Sequence, residues 1–264
     1  EPLIRKDIGE IILYIKSKGA ICELITNGYL VERKIDILKN VDSLCFSLDG
    51  NKEQNDKTRG EGCYDKVLAA IKIAQANGIQ CRIHAVITRE TVTSIRELCE
   101  TAKTLGLTIN FTQATIHTDD PNAKLTQKEL SSLLNGLKHL KRQGYPVANT
   151  DKALDYVLNY PLERYTPHKS GDITLGDKSN VTKCLRPTMT TYVDADGVMY
   201  PCANIWHKDK TISINNQSVK SAWDKQCGID CHACDILGEA EMNNALSFKA
   251  SAVLETIKYN LLGL

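Results

Sequence analysis

An α/β fold built on a parallel sheet is predicted by three features of the first 112 residues. Apolar stripes at helical spacing alternate with short apolar runs of strand length. Glycines mark the tight helix-to-strand turns, at Gly19, Gly78 and Gly106. The strand-to-helix turns are longer and carry Thr, Asn, Asp, Ser or Arg. Such alternation builds right-handed crossover units. In these folds chemistry gathers at the C-terminal ends of the strands. The strands are too few to close an eight-stranded barrel.

The elements follow in order. Residues 7–18 read as a helix, with Ile8, Ile11, Ile12 and Ile15 on one face, Asp7 as its cap and Gly19 as its stop. A buried strand over 20–25 runs into Thr26-Asn27-Gly28. A short helix over 30–38 leads to a strand over 43–48, which ends at Asp49-Gly50. Residues 64–77 form a helix with Val67, Leu68, Ile71 and Ala74 on one face. A strand is expected over 79–87, a helix over 93–105 and a strand over 107–112. Leu130, Leu133, Leu134, Leu137 and Leu140 mark a helix over 125–142, and another is expected over 151–160. The polar stretch 161–180 is the natural boundary. Residues 190–202 look like a hairpin turning at Asp196-Gly197, a pair suited to positive φ. One long helix is expected over 236–261.

The chain has 264 residues, 42% apolar and 25% charged, ample for a sizeable core. A formal net charge of +1 gives no drive toward nucleic acid. No apolar run reaches bilayer length, so no membrane partner is expected. Ten cysteines in a chain this long point to a reducing, cytoplasmic setting rather than to a disulfide scaffold. The first residues, Glu1-Pro2-Leu3, carry no Met, so a fragment or trimmed chain is expected.

Five cysteines have metal-ligand spacing. Cys184 is followed after twelve residues by Gly197, and after four more by Cys202. Cys227, Cys231 and Cys234 are separated by three and two residues. Turns of this length let two sulfurs converge on one metal, and either zinc or an iron–sulfur cluster suits the donors. Cys22, Cys45, Cys63, Cys81 and Cys99 stand singly and read as core residues. Cys45 shares a strand face with Ser43, Ser47 and Asp49, so it is the one to watch. Arg82 and His84 share a face of the 79–87 strand, where polar structural bonding is the simpler reading and substrate positioning the sharper one. Asp194 and Asp196 are expected to serve the hairpin turn, and His232 lies between two candidate ligands.

Taken together, these motifs resemble the radical S-adenosylmethionine (SAM) family, in particular members with a C-terminal twitch or SPASM extension. Glu1-Pro2-Leu3 resembles the end of that family's Gly-Gly-Glu-Pro segment. Thr26-Asn27-Gly28 matches its Thr-Asn-Gly, and Ser47-Leu48-Asp49-Gly50 with Asn55, Asp56 and Arg59 matches its Ser-Leu-Asp-Gly region. The Cys184, Gly197, Cys202 order fits the hairpin signature of the extensions.

The resemblance implies a truncated partial (β/α)6 barrel over 1–124, connecting helices over 125–180, a twitch-like cluster domain over 181–235 and a C-terminal helix over 236–264. It implies SAM at Glu1, Pro2, Asn27, Ser47, Asp49 and Arg59, with Arg59 on the SAM carboxylate. It also implies an auxiliary 4Fe-4S cluster drawn from Cys184, Cys202, Cys227, Cys231 and Cys234. Twitch-bearing dehydrogenases favour Cys184, Cys202, Cys231 and Cys234, with Cys227 as the spare. The implied reaction is hydrogen abstraction by a 5′-deoxyadenosyl radical from a peptide or small-molecule substrate. Flavodoxin or ferredoxin would be the electron donor. The motif holding the SAM-cleaving cluster lies upstream of the Glu-Pro segment in that family. Cys227, Cys231 and Cys234 repeat its spacing but follow the hairpin, so they are not that motif. This chain alone is therefore expected to be inactive. The rival reading is a zinc- or cluster-stabilised binding scaffold that does not cleave SAM.

Overall fold

A computed structural model describes residues 1–115, 123–165, 167–174, 181–205 and 212–247. It divides into two compact units. Among the described residues, the first is Glu1–Thr112 with Asn135–Asn149, and the second is Gln113–Leu134 with those from Thr150 to Ser247.

The first unit carries a four-stranded sheet in the order β1 (Glu23–Thr26), β2 (Ser43–Ser47), β3 (Gln80–Ile87), β4 (Thr108–Gln113). β2 runs parallel to both β1 and β3. The intervening helices are α1 (Ile8–Ser17), α2 (Ile35–Leu38), α3 (Lys52–Arg59), α4 (Cys63–Ala76) and α5 (Ile95–Thr104). Strand periodicity splits the sheet into two faces. Leu24, Leu44, Phe46, Ile83, Ile109 and Phe111 are buried on one, and α4 packs on β2 and β3. Glu23, Ser43, Cys45, Ser47, Arg82, His84 and Asn110 share the other, which is largely polar.

The β4 edge is closed by residues 146–149. Ile109 N donates to Pro146 O at 2.9 Å and Ala148 N to Ile109 O at 2.8 Å. The Asn149 carboxamide then mimics a further strand residue, bonding both Phe111 N and Phe111 O.

The second unit includes α7 (Asp151–Leu158), α8 (Arg186–Met189), the antiparallel pair β5 (Tyr192–Val193) and β6 (Met199–Tyr200), α9 (Val219–Cys227) and α10 (Leu237–Leu246). The remaining helix, α6 (Gln127–Arg142), spans the sequence limits of both units. α9 packs on β6, and its Ala222 joins Met199 and Ile212 in a small core. α7 packs on α10. Thr150 caps α7 through Ala153 N, and Glu241 of α10 accepts from the Thr150 amide and hydroxyl.

Sequence and structure differ in particulars. Asp7 makes no cap bond to α1, because its carboxylate is taken by Arg5. The stretch proposed as a boundary is tied down where it is described, with His168 bridging to Ala233 and Tyr160, Ile173 and Ala233 packing together. Of the long C-terminal helix, Leu237–Leu246 is observed and residues 248–264 lie outside the described set.

Candidate functional site

The first constellation gathers at the ends of β1 and β2. The Glu1 carboxylate accepts from Asn27 N at 2.7 Å, Thr26 Oγ1 at 3.0 Å and Leu3 N at 3.1 Å. It thereby fixes the turn after β1, with Pro2 opening the short helical turn that follows it. Gly28 is required in that turn. Its φ is +83°, and an added Cβ would approach the Ala70 Cβ to 3.2 Å.

After β2 the chain turns into α3, capped by Asn51 onto Gln54 N. Asp49 accepts from Arg59 Nε at 2.7 Å and from Val86 N at 2.8 Å. Its carboxylate is therefore committed to positioning. Holding Arg59 by Nε leaves the two terminal nitrogens outside any hydrogen bond among the described residues, a fork suited to a carboxylate. Asn55 is fully buried and accepts from Asp49 N, while its Nδ2 has no partner. Together with the Arg59 terminal nitrogens it suits an acceptor-rich ligand.

On the polar face, Ser47 and His84 are register partners. Arg82 is closed off, because it forks onto Glu23 through Nε and Nη2 and reaches Asn110 Oδ1 with Nη1. Burial pushes the Glu23 carboxyl up, but the Arg82 hydrogen bond and charge pull it below its usual range overall. Burial and the Arg82 charge hold His84 below its ordinary value, so its imidazole is neutral at neutral pH. Cys45 is fully buried and its thiol is pushed up to about 12 by burial, which makes it inert. Cys22, Cys63, Cys81 and Cys99 are buried as expected.

The second constellation gathers cysteines. Cys184 enters α8, and its backbone N donates to His232 O at 2.6 Å, which ties the hairpin entry to the tail cysteines. The thiols of Cys184 and Cys231 are hydrogen-bonded to each other, and that bond lowers Cys184 while raising Cys231. Cys202 and Cys234 act electrostatically on Cys231, and Cys184 acts on both. Backbone amides point at three of the sulfurs: Arg186 N–H at Cys184, Asn204 and Ile205 N–H at Cys202, and Ile236 N–H at Cys234. Burial pushes Cys202 up to about 12. Among the described residues no three metal-binding side chains stand at ligand geometry, so the thiols are neighbours rather than a closed site. Cys227 ends α9 and is half-buried.

Sequence reading did not single out several groups around these thiols. Arg186 and Glu239 form a buried ion pair at 2.7 Å. Asp235 is fully buried, accepts from Tyr165 N and pairs with Arg164. Tyr160 and Asn204 are buried with unpartnered polar atoms. None of these carries a spacing signal, since each depends on contacts far apart in sequence. A cavity of about 280 Å³ opens beside the cysteine segments, lined by Lys169, Tyr200, Pro201, Ile205, Ile229 and Asp230 among others.

Comparison with known proteins gives a consistent result. Residues 1–102 match the Radical SAM superfamily. Fe-coproporphyrin III synthase of Methanosarcina barkeri is 36% identical over 99 residues, covering 36% of this chain and 25% of that protein. The AdoMet-dependent heme synthase of the same organism is 25% identical over 213 residues, covering 76% and 60%. Mycofactocin maturase MftC of Mycolicibacterium smegmatis is 31% identical over 119 residues, covering 43% and 30%. The chain thus spans 25–60% of the length of these relatives. In fold it is similar to SuiB of Streptococcus suis, with a TM-score of 0.65 at 17% identity over 86% of this chain and 55% of that one. It is also similar to anSMEcpe with bound AdoMet, with a TM-score of 0.59 at 17% identity over 85% and 61%.

Proposed function

We propose that this chain, whose residues 1–102 match the Radical SAM superfamily, forms the SAM-holding and substrate-modifying part of such an enzyme. The observation that carries this reading is the Asp49–Arg59 pair with the buried Asn55 beside it. Arg59 offers its terminal fork to the SAM carboxylate, Asp49, itself held by Val86 N, keeps that fork in place, and the Glu1 carboxylate at the β1 turn suits an ammonium. Ser47 and the neutral His84 supply uncharged hydrogen-bonding groups on the same polar sheet face. SAM supplies a 5′-deoxyadenosyl radical for hydrogen abstraction in this superfamily. The residues described here bind and orient it.

The second unit is proposed to hold an auxiliary 4Fe-4S cluster on Cys184, Cys202, Cys231 and Cys234, with Cys227 spare. Amides directed at three of the sulfurs support this reading, because N–H···S bonds stabilise thiolates. Four sulfur donors fit a cluster, which would supply electron transfer, and they fit zinc equally by number. The cavity beside the cysteine segments is sized for a single side chain or small ring.

A peptide substrate is favoured by the fold shared with SuiB, which has been solved with a precursor peptide bound. A tetrapyrrole is the second reading, favoured by the heme synthase match over 76% of this chain. Calorimetry with SAM tests the first claim. Saturable binding that is lost in Arg59→Gln supports it, and binding unchanged in that variant contradicts it. Anaerobic reconstitution with iron and sulfide tests the second. A broad visible absorption band that disappears in Cys184→Ala is expected, and a colourless zinc protein would refute the cluster.

A further inference from the structure

The residues lining the cavity of about 280 Å³ all belong to the second unit. Its inner wall is apolar. Met199 and Ile212 are 2% and 3% exposed, and Met199 N donates to Ile212 O at 2.7 Å, which fixes that wall. Both belong to the small core around Ala222, and Ile229 packs against that core while also lining the cavity. Tyr200 is buried, and its hydroxyl donates to Asp194 Oδ2 at 2.8 Å, so that polar group is already committed to the hairpin.

The rim is different. Lys169 and Asp230 line the cavity and are exposed. They carry opposite charges, yet among the described residues no ion pair joins them, and no other carboxylate pairs with the Lys169 ammonium. Asp230 is held by one oxygen. Its Oδ1 accepts from Ser170 N at 3.1 Å and from Ser170 Oγ at 2.6 Å, which leaves Oδ2 open. These bonds tie Asp230 to the residue that follows Lys169, and Lys169 N donates to Asp172 Oδ2 at 2.8 Å. The main chains that carry the two charges are therefore fixed relative to each other before any ligand arrives, which lowers the cost of binding.

Ligand pockets run from about 300 to 1,000 Å³. This cavity lies at the small end, short of a tetrapyrrole and adequate for one amino acid. We propose that it binds a free α-amino acid with a large apolar side chain, such as phenylalanine or leucine. The side chain fills the apolar interior. The carboxylate meets the Lys169 ammonium, and the α-ammonium meets Asp230 Oδ2. Both head groups stay at the rim, so no charge is stranded in apolar surroundings. The site rests on neither the SAM reading nor the cysteine reading.

The test is calorimetry of the full chain with L-phenylalanine, beside glycine, N-acetyl-L-phenylalanine and L-phenylalaninamide. Phenylalanine should bind saturably. Glycine keeps both charges without an apolar body and should bind at least about 10-fold more weakly. The acetyl and amide derivatives each lack one charge, and each should lose about 10-fold, the scale of one hydrogen bond to a charged group. Lys169→Met should weaken phenylalanine by a similar factor and abolish its advantage over the amide. Asp230→Asn should abolish its advantage over the acetyl derivative. Lys169 is exposed, so its variant should keep the wild-type thermal midpoint. If Asp230→Asn does not fold, Lys169→Met decides alone. No saturable binding of phenylalanine, or equal binding by wild type and Lys169→Met, would overturn the proposal. Glycine or the acetyl derivative binding as tightly as phenylalanine would overturn it too. Titration of the same variants with SAM reports separately on the first unit, and should match wild type.

Discussion

The two units bury different sets of polar groups. The sheet unit closes its charges in unlike pairs. Glu23 faces Arg82, Asp49 faces Arg59, and Glu1 sits against amide and hydroxyl donors. The cysteine unit has unlike pairs too, Arg186 with Glu239 and Arg164 with Asp235, and beside them it crowds like groups. Four thiols lie within one another's fields, and only Cys184 and Cys231 satisfy each other. Unlike pairs are stable by themselves, because each partner offsets the other's desolvation. Clustered thiols repel once ionised and need a cation between them. Under the proposed function, one unit is preorganised for an organic ligand and the other depends on a metal.

The largest expected effect would come from the crowded side. Cys234→Ser removes a sulfur that also accepts from Ile236 N–H. Metal retention should fall by at least 100-fold in chelator competition, while SAM binding by the sheet unit stays at the wild-type level. Loss of both together would erase the contrast between the units.

Next comes the pairing side. Arg59→Gln leaves Asp49, whose side chain is 11% exposed, without its charged partner. It should cost about 2 kcal/mol in urea unfolding, the scale of a hydrogen bond to a charged group. Metal content should not change.

A smaller effect belongs to the hairpin. Gly197 has φ +77°, and a Cβ there would meet Asn215 Oδ1 at 2.6 Å. Asn215 is itself held by Asp196 O. Gly197→Ala should cost about 1–2 kcal/mol from the backbone conformation alone, plus the displaced Asn215 bond. Differential scanning calorimetry of the metal-free chain would read it.

The smallest effect is a pH slope. His84 is held below its ordinary value of 6.5 by burial and by Arg82, and the Arg59 charge also lowers it, against Asp49 and Glu23. A group whose folded value is lowered binds more protons when unfolded. Stability is therefore full above about pH 6.5 and falls as pH drops through the lowered folded value. His84→Gln should flatten the fall of the thermal midpoint below pH 6.5. An unchanged slope would assign it to another group.

Much of the sheet unit was legible in sequence because its signals are local. The alternation of Leu44, Phe46 and Leu48 against Ser43, Cys45 and Ser47 gave the strand and its polar face. The Gly78 and Gly106 stops gave the turns. α3 was missed because Lys52–Arg59 has no apolar stripe, and its only marks are the Asn51 cap and Gly60. α9 was missed too, although Ser218 caps it onto Ser221 N. The hairpin turn was readable from Asp196-Gly197, and Asp194 and Asp196 do serve it through Ala195 N and Val198 N. The pairing of Arg186 with Glu239, 53 residues apart, has no sequence mark at all. The same holds for Tyr160 packed against Ala233. Cysteine spacing named candidate donors; which of them meet is a matter of tertiary packing.

The most direct measurement is metal uptake across single cysteine variants after anaerobic reconstitution, with iron and acid-labile sulfide counted per chain. Wild type and Cys227→Ala should each hold a full cluster's complement, and Cys184→Ala, Cys202→Ala, Cys231→Ala and Cys234→Ala should each hold little or none. Full uptake in Cys184→Ala, or its loss in Cys227→Ala, would contradict the account.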